Sequence, residues 1–305
     1  MGTLLLDAGI SLECCFEELC VKEPERIETI HQQYIGAGAR VIETNTFGAN
    51  AVRLERFGLE GRVPEINRAA GQLAARTARG KGVYVAGSVG PLGISADEAA
   101  VRGIDRSRCF REQISALLEG GVDLIFLETF IDFEEMQIAL LARKEINDGL
   151  TICSFACAPE GRLSSGMLLV DGFAKLRDLG AQIVGVNCMN DPHGTLQLLQ
   201  KVPAEYVLSA YPNAGHPKYH EGRFIYHTAP DYFAQAAREM VAEGARLIGG
   251  CCGTNLKHIA AITAAIANLQ PVLSKSVRVV SEPPPERPRQ ELLGGEPARP
   301  DRTGQ

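Results

Sequence analysis

A chain of 305 residues with 45% hydrophobic and 22% charged residues has the make-up of an ordinary folded protein, long enough for one large barrel or two small domains. A net charge of −6, no Trp and 6% aromatic residues argue against a nucleic-acid surface. The apolar runs are too short for a transmembrane helix, and no basic-then-apolar leader opens the chain, so no membrane partner and a cytoplasmic location are expected. Nine cysteines, an odd number, read as reduced thiols rather than a disulfide framework.

Along the chain, helical and strand signals alternate. Ile27, Ile30 and Tyr34 recur at helical spacing over 24–37, and Gly36-Ala37-Gly38 ends that run. A strand follows at 40–45, then helical stretches at 49–56 and 64–79 and a strand at 83–87. The cycle repeats with helices at 106–119, 134–146, 168–179, 193–200, 230–243 and 255–268. Strands at 122–128, 150–156, 182–187, 206–210 and 245–249 fall between them. These strands are rich in Val and Ile and apolar on both faces, as a parallel sheet covered by helices requires. Seven is more than an open doubly wound sheet normally has, and no G-x-G-x-x-G follows the first strand. The expected fold is therefore an α/β (β/α)8 TIM barrel over residues 1–270 whose first strand is missing or displaced at the N-terminus. Leu4–Asp7 is the candidate for a displaced strand, although it leaves few residues before Cys15. Residues 271–305 are rich in Pro and Arg and are expected to form a disordered linker or tail.

In such a barrel the chemistry lies at the C-terminal ends of the strands. Those ends carry Glu43-Thr44-Asn45-Thr46-Phe47-Gly48, Gly87-Ser88-Val89-Gly90-Pro91, Glu128-Thr129, Asn187-Cys188, Tyr211-Pro212-Asn213 and Gly249-Gly250-Cys251-Cys252-Gly253-Thr254. Adjacent cysteines on a regular strand point to opposite faces; Gly249, Gly250 and Gly253 would relax that constraint and turn both sulfurs inward. With Cys188 as a third sulfur, the set describes a catalytic zinc site with one open position. Core packing is the alternative for Cys188 alone, and a strained vicinal disulfide is the alternative for Cys251-Cys252. Cys153 and Cys157 read as core, and Cys14, Cys15, Cys20 and Cys109 as structural. The six histidines show no ligand spacing; His216 and His220 read as a solvated loop near the mouth.

The motifs Gly185-Val186-Asn187-Cys188 and Gly249-Gly250-Cys251-Cys252-Gly253-Thr254 resemble those of the homocysteine S-methyltransferase family. Glu43–Asn50, Gly87–Pro91 and Tyr211–Gly215 are similar to the homocysteine-binding module of methionine synthases, and the likeness extends over nearly all of residues 1–270. The resemblance implies zinc (Zn2+) held by Cys188, Cys251 and Cys252, and transfer of a methyl group to the thiol of L-homocysteine, giving L-methionine. It implies that Glu128 pairs with the substrate ammonium and that Thr44 helps hold the amino acid. The backbone of Gly87-Ser88-Val89 would receive the carboxylate, and Asn213 would fill the open position when no substrate is bound. The competing expectation is a truncated, non-catalytic zinc-binding or regulatory barrel. The donor could be a sulfonium, a methylated folate or a methylated corrinoid, and no cobalamin motif is present.

Glu221-Gly222-Arg223 looks closest to bacterial bifunctional proteins in which this module precedes a methylenetetrahydrofolate reductase. A C-terminal folate-reductase domain is thus an expected partner, with the Pro-rich segment as linker. One departure stands out. The family usually carries Asp-Gly-Ala-Met-Gly-Thr at the end of strand 1, and Met1-Gly2-Thr3 matches only its second half, so strand 1 and its Asp are expected before residue 1.

Overall fold

The computed structural model describes residues 1–277 except 12, 216–217 and 221–222, and only the backbone of 218–220 and 223–225. The Pro-rich stretch beyond residue 277, His216 and the Glu221-Gly222 part of the reductase-like motif therefore lie outside the described residues, as does the side chain of His220.

Seven parallel strands form one sheet: β1 (Val41–Glu43), β2 (Tyr84–Val89), β3 (Leu124–Phe130), β4 (Thr151–Phe155), β5 (Ile183–Asn187), β6 (Leu208–Tyr211) and β9 (Ala245–Ile248). Their order in the sheet is their order in the chain, with β1 and β9 at the two edges, and β7 (Lys218–His220) and β8 (Arg223–Ile225) make a separate antiparallel hairpin. Pairings such as Ile42↔Val85 and Ser88↔Phe126 set the register from strand to strand. The curled sheet is consistent with the expected barrel. Helices α3 (Pro24–Gly36), α5 (Val63–Ala78), α7 (Arg106–Glu119), α8 (Phe133–Ile146), α9 (Leu169–Asp178), α10 (Pro192–Leu199), α11 (Pro230–Ala242) and α12 (Leu256–Ile266) follow the predicted pattern. Shorter helices are α1 (Gly2–Asp7), α2 (Leu19–Lys22), α4 (Ala51–Leu54) and α6 (Ala96–Val101).

The loops entering the helices carry their own start signals. Asp105, Asp132 and Asp191 accept backbone N–H bonds from the third residue on, at 2.8–3.0 Å, which satisfies donors that the first turn leaves free. Residues alternate between two apolar layers. Ile42, Val85, Ile125, Leu127, Cys153 and Val184 face the helices, while Val41, Ala86, Leu124, Phe126, Ile152 and Ile183 fill the sheet's concave interior with Tyr211 and Leu247.

The start of the chain differs from the displaced-strand expectation. Leu4–Asp7 belongs to the helix α1, with Leu4 and Leu5 N–H bonded to the Met1 carbonyl. Three consecutive leucines favour helix over strand, lacking the β-branching that suits a pleated surface. Leu5 is fully buried among Leu19, Cys20, Ile27, Ile30, Ala70 and Leu73, and Thr3 Oγ1 accepts the Gly253 N–H at 3.0 Å. Helix α1 thus reaches from the end of β9 to the helices flanking β1. The helical layer also meets there, because Gly38 (φ 95°) lets its backbone approach Thr263 on α12, where a Cβ would lie 2.7 Å from Thr263 Cγ2.

At the other end, residues 271–277 run beneath the barrel. Lys275 Nζ donates to the Leu199 carbonyl at 2.6 Å, the Glu243 carbonyl at 2.8 Å and Glu243 Oε2 at 2.9 Å. One ammonium therefore closes the C-termini of α10 and α11 together, where carbonyls have no helical partner and the helix dipoles favour a cation.

Candidate functional site

Three sulfurs from two strand ends converge at the mouth. Cys188 follows β5, and Cys251 and Cys252 follow β9. Cys188 Sγ lies 3.9 Å from Cys252 Sγ, Cys251 Sγ lies 4.0 Å from Cys252 Sγ, and all three fall within 4.8 Å of one another. Those separations exclude a disulfide, vicinal or otherwise. Tetrahedral thiolates at the usual Zn–S length of about 2.3 Å sit about 3.8 Å apart, so the spacing fits one zinc-sized ion.

The backbone fixes this cluster. The Cys188 N–H donates to the Tyr211 carbonyl at 3.0 Å, extending the β5–β6 ladder by one residue. The Cys251 N–H reaches Pro212 O at 2.8 Å, Cys252 N–H reaches Asn213 Oδ1 at 3.0 Å, and Ala214 N–H returns to Cys252 O at 2.8 Å. A turn closed by the Thr254 N–H on Cys251 O breaks the strand alternation and brings the two adjacent sulfurs together. The glycines act differently from the expectation. Of the three, only Gly253 is left-handed (φ 77°). Gly249 and Gly250 instead provide room, since a Cβ there would lie 2.6 Å from the Tyr211 ring and 2.5 Å from Thr254 Cγ2.

Backbone strain is concentrated at the same place. Among the described residues the non-glycine positions with positive φ are Thr129 (62°), Cys188 (59°) and Met189 (58°), all at the mouth ends of β3 and β5. Such a conformation is costly for a β-branched Thr and persists only where neighbours enforce it. Here Asn187 enforces it by reaching across β4: its Oδ1 accepts the Thr129 N–H at 2.9 Å and its Nδ2 donates to Thr129 Oγ1 at 2.6 Å.

The three sulfurs shift one another's acidity in opposite directions. Hydrogen bonds from the Cys251 and Cys252 thiols, with help from the Asn213 side chain, hold the Cys188 thiol down at about 2. The same bonds push Cys251 and Cys252 up, with burial adding to the rise. Asn213 thereby bridges two of the sulfur-bearing residues, one through its Oδ1 and one through its side-chain contact with Cys188. Tyr226 is pushed up to about 12 by burial first, then by the charge of the cysteines and its hydrogen bond to Cys252.

The other predicted residues lie on β1, β2 and β3. Ser88 Oγ donates to Glu128 Oε1. Thr44, which is buried, accepts the Ser88 N–H at 3.0 Å and shares a 2.6 Å hydroxyl contact with Thr46, so it braces β1 against β2. Gly87 faces the helical layer, where a Cβ would lie 3.0 Å from Ile125 Cδ1, and offers the interior only its backbone. Cys153 and Cys157 are buried in the core, the latter two residues beyond β4. Cys15 and Cys20 are buried, with thiols pushed up to about 11 and about 12 by burial. Two features are not evident from motif reading: Tyr226, placed against Gly253 from beyond the β7–β8 hairpin, and Glu43, quoted within a motif yet given no role.

The sequence profile of the homocysteine S-methyltransferase family matches residues 1–266. The chain belongs to that family. Methionine synthase of Mycobacterium tuberculosis is 32% identical over 286 residues, covering 88% of this chain, and methionine synthase of Mycobacterium leprae is 31% identical over 290. The chain spans about a quarter of the length of these two relatives (24% of each). The homocysteine methyltransferase MmuM of Escherichia coli, in its metallated form, superposes with a TM-score of 0.72 at 28% identity, over 87% of this chain and 93% of that one. As a homocysteine S-methyltransferase family member the chain shares its fold with that enzyme, and its three-sulfur cluster could hold a metal ion. No helix among the described residues is long and apolar enough to cross a membrane.

Proposed function

We propose that this barrel transfers a methyl group to the thiol of L-homocysteine, with zinc held by Cys188, Cys251 and Cys252. The observation that carries the reading is the mutual spacing of the three sulfurs at the mouth of a barrel of this family. Zinc held by these three thiolates would lower the pKa of a substrate thiol and leave the sulfur nucleophilic. The substrate sulfur then attacks the methyl carbon of the donor, a new C–S bond forms, and the donor's leaving group departs with its electron pair.

The chain's own residues orient the amino acid for that displacement. Glu128, held by the Ser88 hydroxyl, takes the substrate ammonium. The β2 strand end receives the carboxylate, with Thr44 bracing it from β1. Asn213 positions the Cys252 backbone and contacts Cys188, and it would be the residue to hold the metal with the three cysteines when no substrate is bound. The methyl donor arrives from outside these residues, and a folate-reducing partner beyond the Pro-rich segment fits that arrangement.

The test combines metal analysis with methionine formation from L-homocysteine and, in turn, a methylsulfonium, a methylated folate and a methylated corrinoid. The expected result is one zinc per chain and methionine from one donor class. Cys251→Ala should lose both metal and activity, while Cys153→Ala should keep both. Full zinc in Cys251→Ala would overturn the ligand assignment, and zinc without methionine from any donor would overturn the methyl transfer.

A further inference from the structure

Strand β3 breaks its alternation where it nears the mouth. Leu127 stands level with Cys153 on β4, and Phe130 with Phe155, so three steps along β3 match two along its neighbour. Strict alternation from the inward Phe126 would turn Phe130 inward as well. Instead Leu127 and Phe130 both pack in the helix-facing layer, the Phe130 ring 5.9 Å from that of Phe110 on α7. The extra residue is a β-bulge, which leaves a backbone group without its ladder partner and re-aims the side chains around it. It falls on Glu128-Thr129, the two half-buried positions of an otherwise buried strand. A left-handed bulge residue is ordinarily glycine, whereas Thr129 holds φ 62° with a branched side chain. Asn187, 2% exposed, supplies what holds it there: its Oδ1 accepts the Thr129 N–H and its Nδ2 donates to Thr129 Oγ1. A glycine would forgo the second of these bonds. Asn187 directly precedes Cys188, and Thr129 directly follows Glu128. One amide thus ties the backbone that carries a sulfur to the backbone that carries a carboxyl, over the intervening β4.

We propose that Asn187 is a positioning residue that holds the β3 bulge in place, fixes the span from Glu128 to Cys188, and so matches the site to homocysteine rather than to L-cysteine, its homologue shorter by one methylene. The inference rests on the reading of the mouth as a homocysteine site, with the substrate held at Glu128 and at the sulfurs. A ligand gripped at both ends is measured against the span between the grips, and a ligand too short by one methylene cannot make both contacts at full strength. The Ser88 hydroxyl holds the Glu128 carboxyl from β2, but it does not hold the backbone beneath it. Without the Asn187 amide, Thr129 is free to return to extended φ, the bulge relaxes, and Glu128 is no longer held at one distance from the sulfurs.

The experiment is calorimetric titration of the zinc-loaded protein and of Asn187→Ala with L-homocysteine and with L-cysteine, together with metal analysis. The unaltered protein should bind homocysteine about tenfold more tightly than cysteine, or better. Asn187→Ala should keep its zinc and bring the two affinities within about twofold of each other, chiefly by weakening homocysteine. Asn187→Ala combined with Thr129→Gly removes the strain along with the clamp, so it serves where the single variant folds poorly, and it should lose the preference too. A wild-type ratio in these variants, whether both ligands weaken in step or neither changes, would overturn the role of Asn187 and leave the homocysteine reading standing. Loss of zinc from both variants would overturn it as well, placing Asn187 in the service of the sulfurs alone. Equal binding of the two thiols by the unaltered protein, or no binding of homocysteine, would remove the homocysteine reading and this inference with it.

Discussion

Gly253→Ala separates the two demands that the Cys251-Cys252 loop places on one residue. Gly253 has φ 77°, where a Cβ costs about 1–2 kcal/mol for an L-residue. Its Cβ would also lie 2.1 Å from Tyr226 Cγ, far inside contact distance, so the ring has to leave. Leaving breaks the tyrosine's hydrogen bond to Cys252, a further loss of about 1 kcal/mol. The total, about 2–3 kcal/mol, falls on the loop that carries two of the three sulfurs. Gly58→Ala is the matched control: φ is 67°, nothing lies within 4 Å of the new Cβ, and the site is elsewhere. It should show only the conformational penalty, about 2–4 °C of Tm per kcal/mol in a domain of this size class. Competition with a chromophoric chelator should find zinc bound at least tenfold more weakly by Gly253→Ala and unchanged in Gly58→Ala. Wild-type zinc affinity in Gly253→Ala would refute the collision.

Three further outcomes follow from the same geometry. Glu43, raised from about 4.5 to about 7, favours the folded state fully below about pH 4.5 and loses that contribution as pH rises through 7. Glu43→Gln should therefore be more stable relative to the unaltered protein at pH 8 than at pH 5, and thermal denaturation showing the same difference at both pH values would contradict it. Lys275→Met removes an ammonium with three acceptors and leaves Glu243 without its partner. A loss of about 1.5–3 kcal/mol and several degrees of Tm is expected, with zinc content unchanged. Met189→Gly relieves a left-handed φ of 58° and should raise Tm slightly, by the equivalent of about 1 kcal/mol, as measured by scanning calorimetry.

Much of this architecture is legible in the chain because periodicity and punctuation agree. The strand at 183–187 and the helices capped by Asp105, Asp132 and Asp191 lie within a few residues of where the pattern puts them. Gly-Gly-Cys-Cys-Gly is legible as a sulfur site, since no regular strand accommodates it. What the sequence hides depends on partners far away in the chain. The Leu4–Leu6 run has no period and takes its helical state from a pocket formed by α2, α3 and α5. Thr129 and Cys188 are left-handed without being glycine, held there by their tertiary surroundings rather than by local preference. The reason for Gly249 is the Tyr211 ring, 38 residues earlier in the sequence. Lys275 lies in a stretch whose composition reads as tail, yet its ammonium is bound into the barrel.

That anchoring gives the molecule a front and a back. The sulfurs open at the end of the barrel where strands finish, whereas Lys275 fastens the chain to the end where the helices finish, on the opposite side. Residue 277 thus lies at the rear, at the end of the sheet away from the sulfurs. On the proposed function, a methyl donor tethered at residue 277 would have to travel round the outside of the sheet and its helices to reach the sulfurs. The length of the intervening chain then sets how often it arrives, through the effective concentration that a tether of that reach permits.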